Sequence, residues 1–114
     1  MPKDPDPVFT TLDGRISFIE NPRDGPAIAY WIRLNHQDSI YMPEGILKDL
    51  AHPTTPTERV IGKLEAITGD NVRFLLRKNN ISPEQIHMAL LHLRIIEQEE
   101  ELKYAYSLAS QPTS

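Results

Sequence analysis

VFTTLDGRISFIE, residues 8–20, sets two strand-like runs on either side of Asp13-Gly14, and this stretch decides the fold because the regular structure begins here as a hairpin. An Asp-Gly pair supplies the positive φ angles of a two-residue type I′ turn, whose twist suits antiparallel strands. That loop places Phe9 opposite Phe18 and Thr11 opposite Ile16, so Phe9, Ile16 and Phe18 share one face while Arg15 and Ser17 point to the other.

Immediately beyond, NPRDGP (residues 21–26) is turn chemistry and AIAYWIRL (residues 27–34) is rich in β-branched and aromatic side chains. It reads as the central strand. Its period of two puts Ile28, Tyr30, Ile32 and Leu34 on the core face and Ala29, Trp31 and Arg33 on the other. Residues 35–39 form a polar turn, residues 40–42 a short returning strand, and residues 44–51 a short helix with Ile46, Leu47 and Leu50 inward, ended by His52-Pro53.

Residues 58–78 admit two readings. Thr55-Pro56-Thr57-Glu58 has the form of a capping box with proline at the first helical position, and Val60, Leu64 and Ile67 have helical spacing. A hairpin with the loop Gly69-Asp70-Asn71 instead pairs Thr68 with Val72, Ala66 with Phe74 and Leu64 with Leu76, leaving Lys63, Glu65, Arg73 and Arg77 on the opposite face. The hairpin is preferred here.

Ser82-Pro83-Glu84-Gln85 is a clearer capping box and opens a long helix over residues 82–109, where no glycine or proline intervenes. Apolar residues recur at Ile86, Leu90 and Leu93, and a second set, Met88, Leu91, Ile95, Gln98, Leu102, Ala105 and Ala109, keeps a 3-4 spacing for three heptads with Gln98 its sole polar member. Two destinations are open for that stripe: a helix-pairing seam, or the docking of Met88, Leu91 and Ile95 on the chain's own sheet with the remainder in water. Glu97 to Glu101 winds around the helix as a solvated face.

The expected fold is therefore α+β: an antiparallel sheet or barrel-like roll of five to six short strands, followed by a long C-terminal helix. One domain spans residues 8–109, with disordered tails at residues 1–7 and 110–114, because 114 residues support a single core. Hydrophobic residues make up 39% and charged ones 25%, as in a folding chain, and five of the ten prolines lie in terminal or loop-like sequence. The net charge of −4 argues against general polyanion binding. With no cysteine there is no disulfide, thiolate metal site or Cys nucleophile. No apolar run approaches the roughly 20 residues that span a bilayer, and MPKDPDP lacks a signal-like apolar region, so a cytoplasmic location is expected with no membrane partner.

No catalytic motif is present: GxSxG, HExxH and phosphate-cradling glycine runs are all absent, so no catalytic residue, cofactor or small-molecule substrate is inferred. His87 and His92 are five apart, not the i, i+4 pair that shares a helix face, and His36 and His52 lie in turns, so no metal site is expected. The functional expectation is a small acidic, non-enzymatic protein-interaction or regulatory protein acting through its C-terminal helix. Its interface would be Met88, Leu91, Ile95, Leu102, Ala105 and Tyr106, and its partner another protein or a second copy. The alternative is a small barrel binding single-stranded nucleic acid, with Trp31 as a stacking platform and Arg33 as its cation; Arg73 and Arg77, with Lys78, would extend the strip if their hairpin lay alongside. The simpler account of Trp31 is burial beneath a helix or second layer.

Overall fold

The computed structural model describes residues 7–22 and 28–110, although of residues 21, 22, 28 and 108–110 it describes only the backbone. The expectations for residues 1–6, 23–27 and 111–114, and those for the side chains of Ile28 and Ala109, lie outside the described residues. Strands β1 (Phe9–Thr10), β2 (Ser17–Pro22), β3 (Ile28–Arg33) and β4 (Ser39–Pro43) precede helices α1 (Glu44–Leu50), α2 (Thr57–Thr68), α3 (Val72–Lys78) and α4 (Pro83–Ser110).

The architecture is α+β, with one antiparallel sheet in the order β1-β2-β3-β4. Among the described residues four strands are found rather than five to six, and the sheet is an open meander with β1 and β4 at its edges rather than a barrel. The missing strands are those assigned to residues 58–78, which form α2 and α3. The hairpin required Ala66 and Phe74 to share the core, yet both are exposed, whereas the helical set Val60, Ile61 and Leu64 is buried. Gly69-Asp70-Asn71 serves a different purpose from a hairpin loop. Gly69, at φ +73°, takes the left-handed conformation that closes α2, and Asn71 caps α3 by accepting a hydrogen bond from the Phe74 amide at 3.0 Å.

The first hairpin keeps its expected register, with Phe9 paired to Phe18, but its turn is not type I′. Of Asp13 and Gly14 only Gly14 has positive φ, and the Gly14 amide donates to the Thr11 carbonyl at 2.8 Å. Asp13 instead anchors the turn with its side chain, accepting from the Thr11 hydroxyl at 2.6 Å and the Arg15 amide at 3.1 Å.

Pairing of Phe18 with Ile32 and of Ile32 with Ile40 collects the inward residues of β2, β3 and β4 into a single core with helical side chains. Ile46 and Leu47 of α1, Val60, Ile61 and Leu64 of α2, Val72 and Leu76 of α3, and Ile86, Ala89, Leu90 and Leu93 of α4 complete it. The capping box of α4 is formed in both directions: Ser82 Oγ accepts from the Gln85 amide at 3.2 Å, and Gln85 Oε1 accepts from the Ser82 amide at 2.7 Å. By contrast α2 starts at Thr57 after Pro56 with no side-chain cap, so the Thr55 hydroxyl does not serve as its cap.

These caps give a differential test. Asn71→Ala and Ser82→Ala should each lower stability by about 1 kcal/mol, whereas Thr55→Ala should stay within about 0.5 kcal/mol of wild type. Urea unfolding followed by circular dichroism checks this; a loss at Thr55 equal to that at Asn71 would contradict the observed helix starts.

Candidate functional site

Helix α4 is 28 residues long, about 42 Å at 1.5 Å per residue, and only its first half meets the body of the protein. The inward set Ile86, Ala89, Leu90 and Leu93 is buried, and the stripe containing Met88, Ile95 and Leu102 lies on the opposite side of the helix. Those three side chains are 53%, 49% and 52% exposed. Leu91 is the partial exception, since it is half-buried against the core. Docking of Met88 and Ile95 on the chain's own sheet is thus not what occurs. Beyond them every residue from 98 to 107 is exposed, including Leu102, Ala105 and Tyr106, so all of the six side chains selected from sequence except Leu91 lie exposed along one side of the helix.

Two hollows flank the near half of this stripe. One, of about 480 Å³, lies between the β1–β2 hairpin and α4 and is lined by Phe9, Leu12, Ile16, Gln85, Met88 and His92. The other, of about 350 Å³, lies beside the α1–α2 connection and is lined by Ala51, Pro53, Leu91, Arg94, Ile95 and Gln98. The rim residues Phe9, Leu12, Ala51 and Pro53 carry no sequence signal of this role, because tertiary packing alone brings them to α4. Phe9 is held there by stacking on Phe18 at 6.0 Å and by an edge contact with His92 at 5.9 Å.

Polar contacts of two α4 residues, His87 and Glu97, fix the helix against the body. Buried His87 is bound at both ring nitrogens: Nε2 lies 3.1 Å from the His52 carbonyl, which can only accept, so that nitrogen carries the proton, and Nδ1 lies 2.9 Å from the Thr57 hydroxyl. Where α4 leaves the body, the Tyr30 hydroxyl donates to the Glu97 carboxylate. Burial, reinforced by that carboxylate, keeps the Tyr30 hydroxyl far above the usual phenol range, so it stays a donor. Burial likewise pushes the Glu97 carboxyl above the usual carboxylate range, with nearby Glu44 adding to the effect and the Tyr30 hydrogen bond opposing it. Glu97 therefore departs from the solvated run assigned to residues 97–101, while Glu99, Glu100 and Glu101 are exposed.

The rival residues are divided. Trp31 and Arg33 occupy the sheet face opposite the core, in rows that read Ile19, Trp31, Tyr41 and Ser17, Arg33, Ser39 across β2, β3 and β4. Trp31 is 36% exposed and meets Tyr41 edge-on at 5.6 Å. Arg73 and Arg77 belong to α3 instead of a strand beside β3, and Arg73 is engaged by Glu58 and, at 3.4 Å, by Glu65. The basic strip that needed them alongside Trp31 is not assembled. Lys78 pairs with Asp38 at 3.3 Å, and donation from Asn35, Asn79 and Lys78 holds the Asp38 carboxyl below its usual range.

Among the described residues no group of three or more His, Cys, Asp or Glu side chains is placed to hold a metal ion, and no helix is long and apolar enough to cross a membrane. Comparison with known proteins assigns nothing further: no family model, curated protein or solved structure matches the chain.

The Tyr30–Glu97 contact carries a pH signature. Because the folded-state pKa of Glu97 is raised, its proton contributes stability that is complete below the ordinary carboxylate pKa and is lost as pH rises through the folded value. The stability of Glu97→Gln relative to wild type should therefore improve as pH rises from about 4 to about 7. Denaturant unfolding at a series of pH values measures it, and a constant difference would contradict the half-buried position of Glu97.

Proposed function

We propose that this chain is a non-enzymatic protein-interaction module that engages another polypeptide through the outer stripe of α4. The observation that carries this reading is the exposure of Met88, Ile95 and Leu102, seven residues apart, on the side of α4 opposite its own core contacts. Single exposed apolar side chains need no explanation, but a row at heptad spacing on a projecting helix has the form of a helix-pairing seam. Glu99 to Glu101 and Lys103 make most of the remaining surface of the distal half polar, with exposed Tyr104 the apolar exception.

Leu102→Glu tests this directly. The substitution lies beyond the body, so the thermal transition should stay within about 0.5 kcal/mol of wild type, while a charge enters the middle of the seam. Chemical crosslinking of the tagged chain should give polypeptide adducts through α4 that Leu102→Glu abolishes. Identical adduct patterns from the two proteins would remove the reading.

A second reading has its own supporting observation, the exposure of Trp31 beside Tyr41 on the sheet face away from the core. An aromatic pair of this kind can stack an unpaired base, with Arg33 two residues along the same strand face as a cation for the flanking phosphate. The net charge of −4 and the engagement of Arg73 by Glu58 and Glu65 oppose it, which is why the helix is preferred. Trp31 is the one tryptophan, so titration of its fluorescence with a mixed-sequence single strand at low salt is decisive. Quenching that Trp31→Ala weakens by about 1–3 kcal/mol of affinity would support nucleic-acid binding, and no quenching excludes it.

A further inference from the structure

Taking the outer stripe of α4 as an interaction surface, as proposed above, the geometry points to its occupant: a second copy of this chain, laid antiparallel so that each distal half fills the hollows beside the other copy's near half. The inference rests on that reading and adds the identity and direction of the partner.

Heptad positions define what would meet. When Met88, Ile95 and Leu102 are one seam position and Leu91, Gln98 and Ala105 the other, antiparallel packing sets each position against its opposite kind. With the twofold axis between residues 96 and 97, Met88 faces Ala105, Leu91 faces Leu102 and Ile95 faces Gln98 of the second copy, and symmetry repeats each layer. The long, unbranched Met88 thus meets the smallest seam side chain. The two Gln98 side chains fall close to the axis, where a lone polar seam position sets register.

The charges flanking the seam agree with this alignment. The same register places Arg94 opposite Glu101 and His92 opposite Glu99 of the second copy, so the acidic turn of one helix lies against the basic and imidazole groups of the other. A parallel pair would bring both copies of Glu99, Glu100 and Glu101 to one level, where like charges repel. It would also bring both bodies to one end, with the rims at Leu12 and Pro53 of each facing those of the other.

Shape supplies a third argument. The near half of the stripe is hemmed by the hairpin on one side and the α1–α2 connection on the other, leaving hollows of about 480 and 350 Å³. In the distal half residues 98–107 are all exposed, so no side chain of the described body covers this part of the helix and it is the part free to lie between those rims. In the antiparallel register Tyr106 of the second copy reaches the hollow beside Gln85 and His92, and Leu102 lies on Leu91 beside Pro53. Each copy therefore contributes both the insert and the groove, as a twofold interface requires.

Because the chain has no cysteine, single thiols can be placed without background. Wild-type protein should sediment as a dimer at micromolar concentration, with dissociation at least about tenfold easier in Leu102→Glu. Under mild oxidation, Met88→Cys mixed with Ala105→Cys should form a mixed disulfide dimer, whereas neither should couple to itself, since like positions lie some 17 residues, about 26 Å, apart along the axis. Self-coupling of each variant alone would establish a parallel pair and overturn the inference. A wild-type chain that stays monomeric throughout would overturn it as well. In that event, Leu102-dependent adducts with a different polypeptide would leave the proposed function standing with another occupant, and their absence would remove both.

Discussion

The structure depends on the seating of four α4 side chains, Ile86, Ala89, Leu90 and Leu93, in the core shared by the sheet and the shorter helices. A helix is a rigid wheel, so fixing the direction of these four fixes every other side chain on it. Met88, Ile95 and Leu102 then point away from the body, and the distal half must leave the body along the same axis. The reciprocal capping box at Ser82 and Gln85 sets where that wheel begins, and the double hydrogen bonding of His87 to His52 and Thr57 opposes rotation about its axis.

The sheet imposes the complementary constraint. A four-stranded meander buries one face well, and here that face receives Phe18, Ile32, Ile40 and Met42. With β4 running directly into α1, the chain returns over the same face, and α2 and α4 pack there against each other. Trp31 and Arg33 are consequently left on the opposite face by the pleat of β3 alone, independent of any role they have. The Tyr30–Glu97 hydrogen bond marks the border where α4 passes from apolar packing to water, because it places a carboxylate on the helix face that one turn earlier carries Leu93.

What was legible in the sequence follows the strength of the local code. Register in the first hairpin, the faces of β3 from Tyr30 to Arg33, the short helix α1 and the capped start of α4 all rest on patterns closed within a few residues, and they appear as read. Residues 58–78 were misread because Gly-Asp-Asn satisfies both a hairpin loop and a helix stop followed by a helix cap. Only burial separates the two, and it requires knowing that Val60, Ile61 and Leu64 face the rest of the core. The turn type at Asp13-Gly14 was missed for a related reason: Asp13 takes up local backbone and hydroxyl donors with its side chain and so does not adopt positive φ. The stripe on α4 was legible as a spacing, but its direction was not. The helix is apolar on two opposite faces, and periodicity cannot choose which one a sheet will take.

That two-faced character is what separates α4 from an ordinary packing helix. A helix needed only to cover the sheet would end near Glu97, since no residue from 98 to 107 adds to the core. Nor does the distal half need apolar residues to be helical: its nucleus is already formed by the anchored turns, and propagation from them is favourable with alanine, glutamate and lysine alone. Leu102 and Tyr106 therefore add nothing to the core that the described residues form. Both would lower solubility in isolation, and both continue a line that begins at Met88 beside two hollows in the body. Extra length without core, apolar residues without helical need and hollows beside the near half are three separate features of the described residues, and the proposed polypeptide along α4 would account for all of them together.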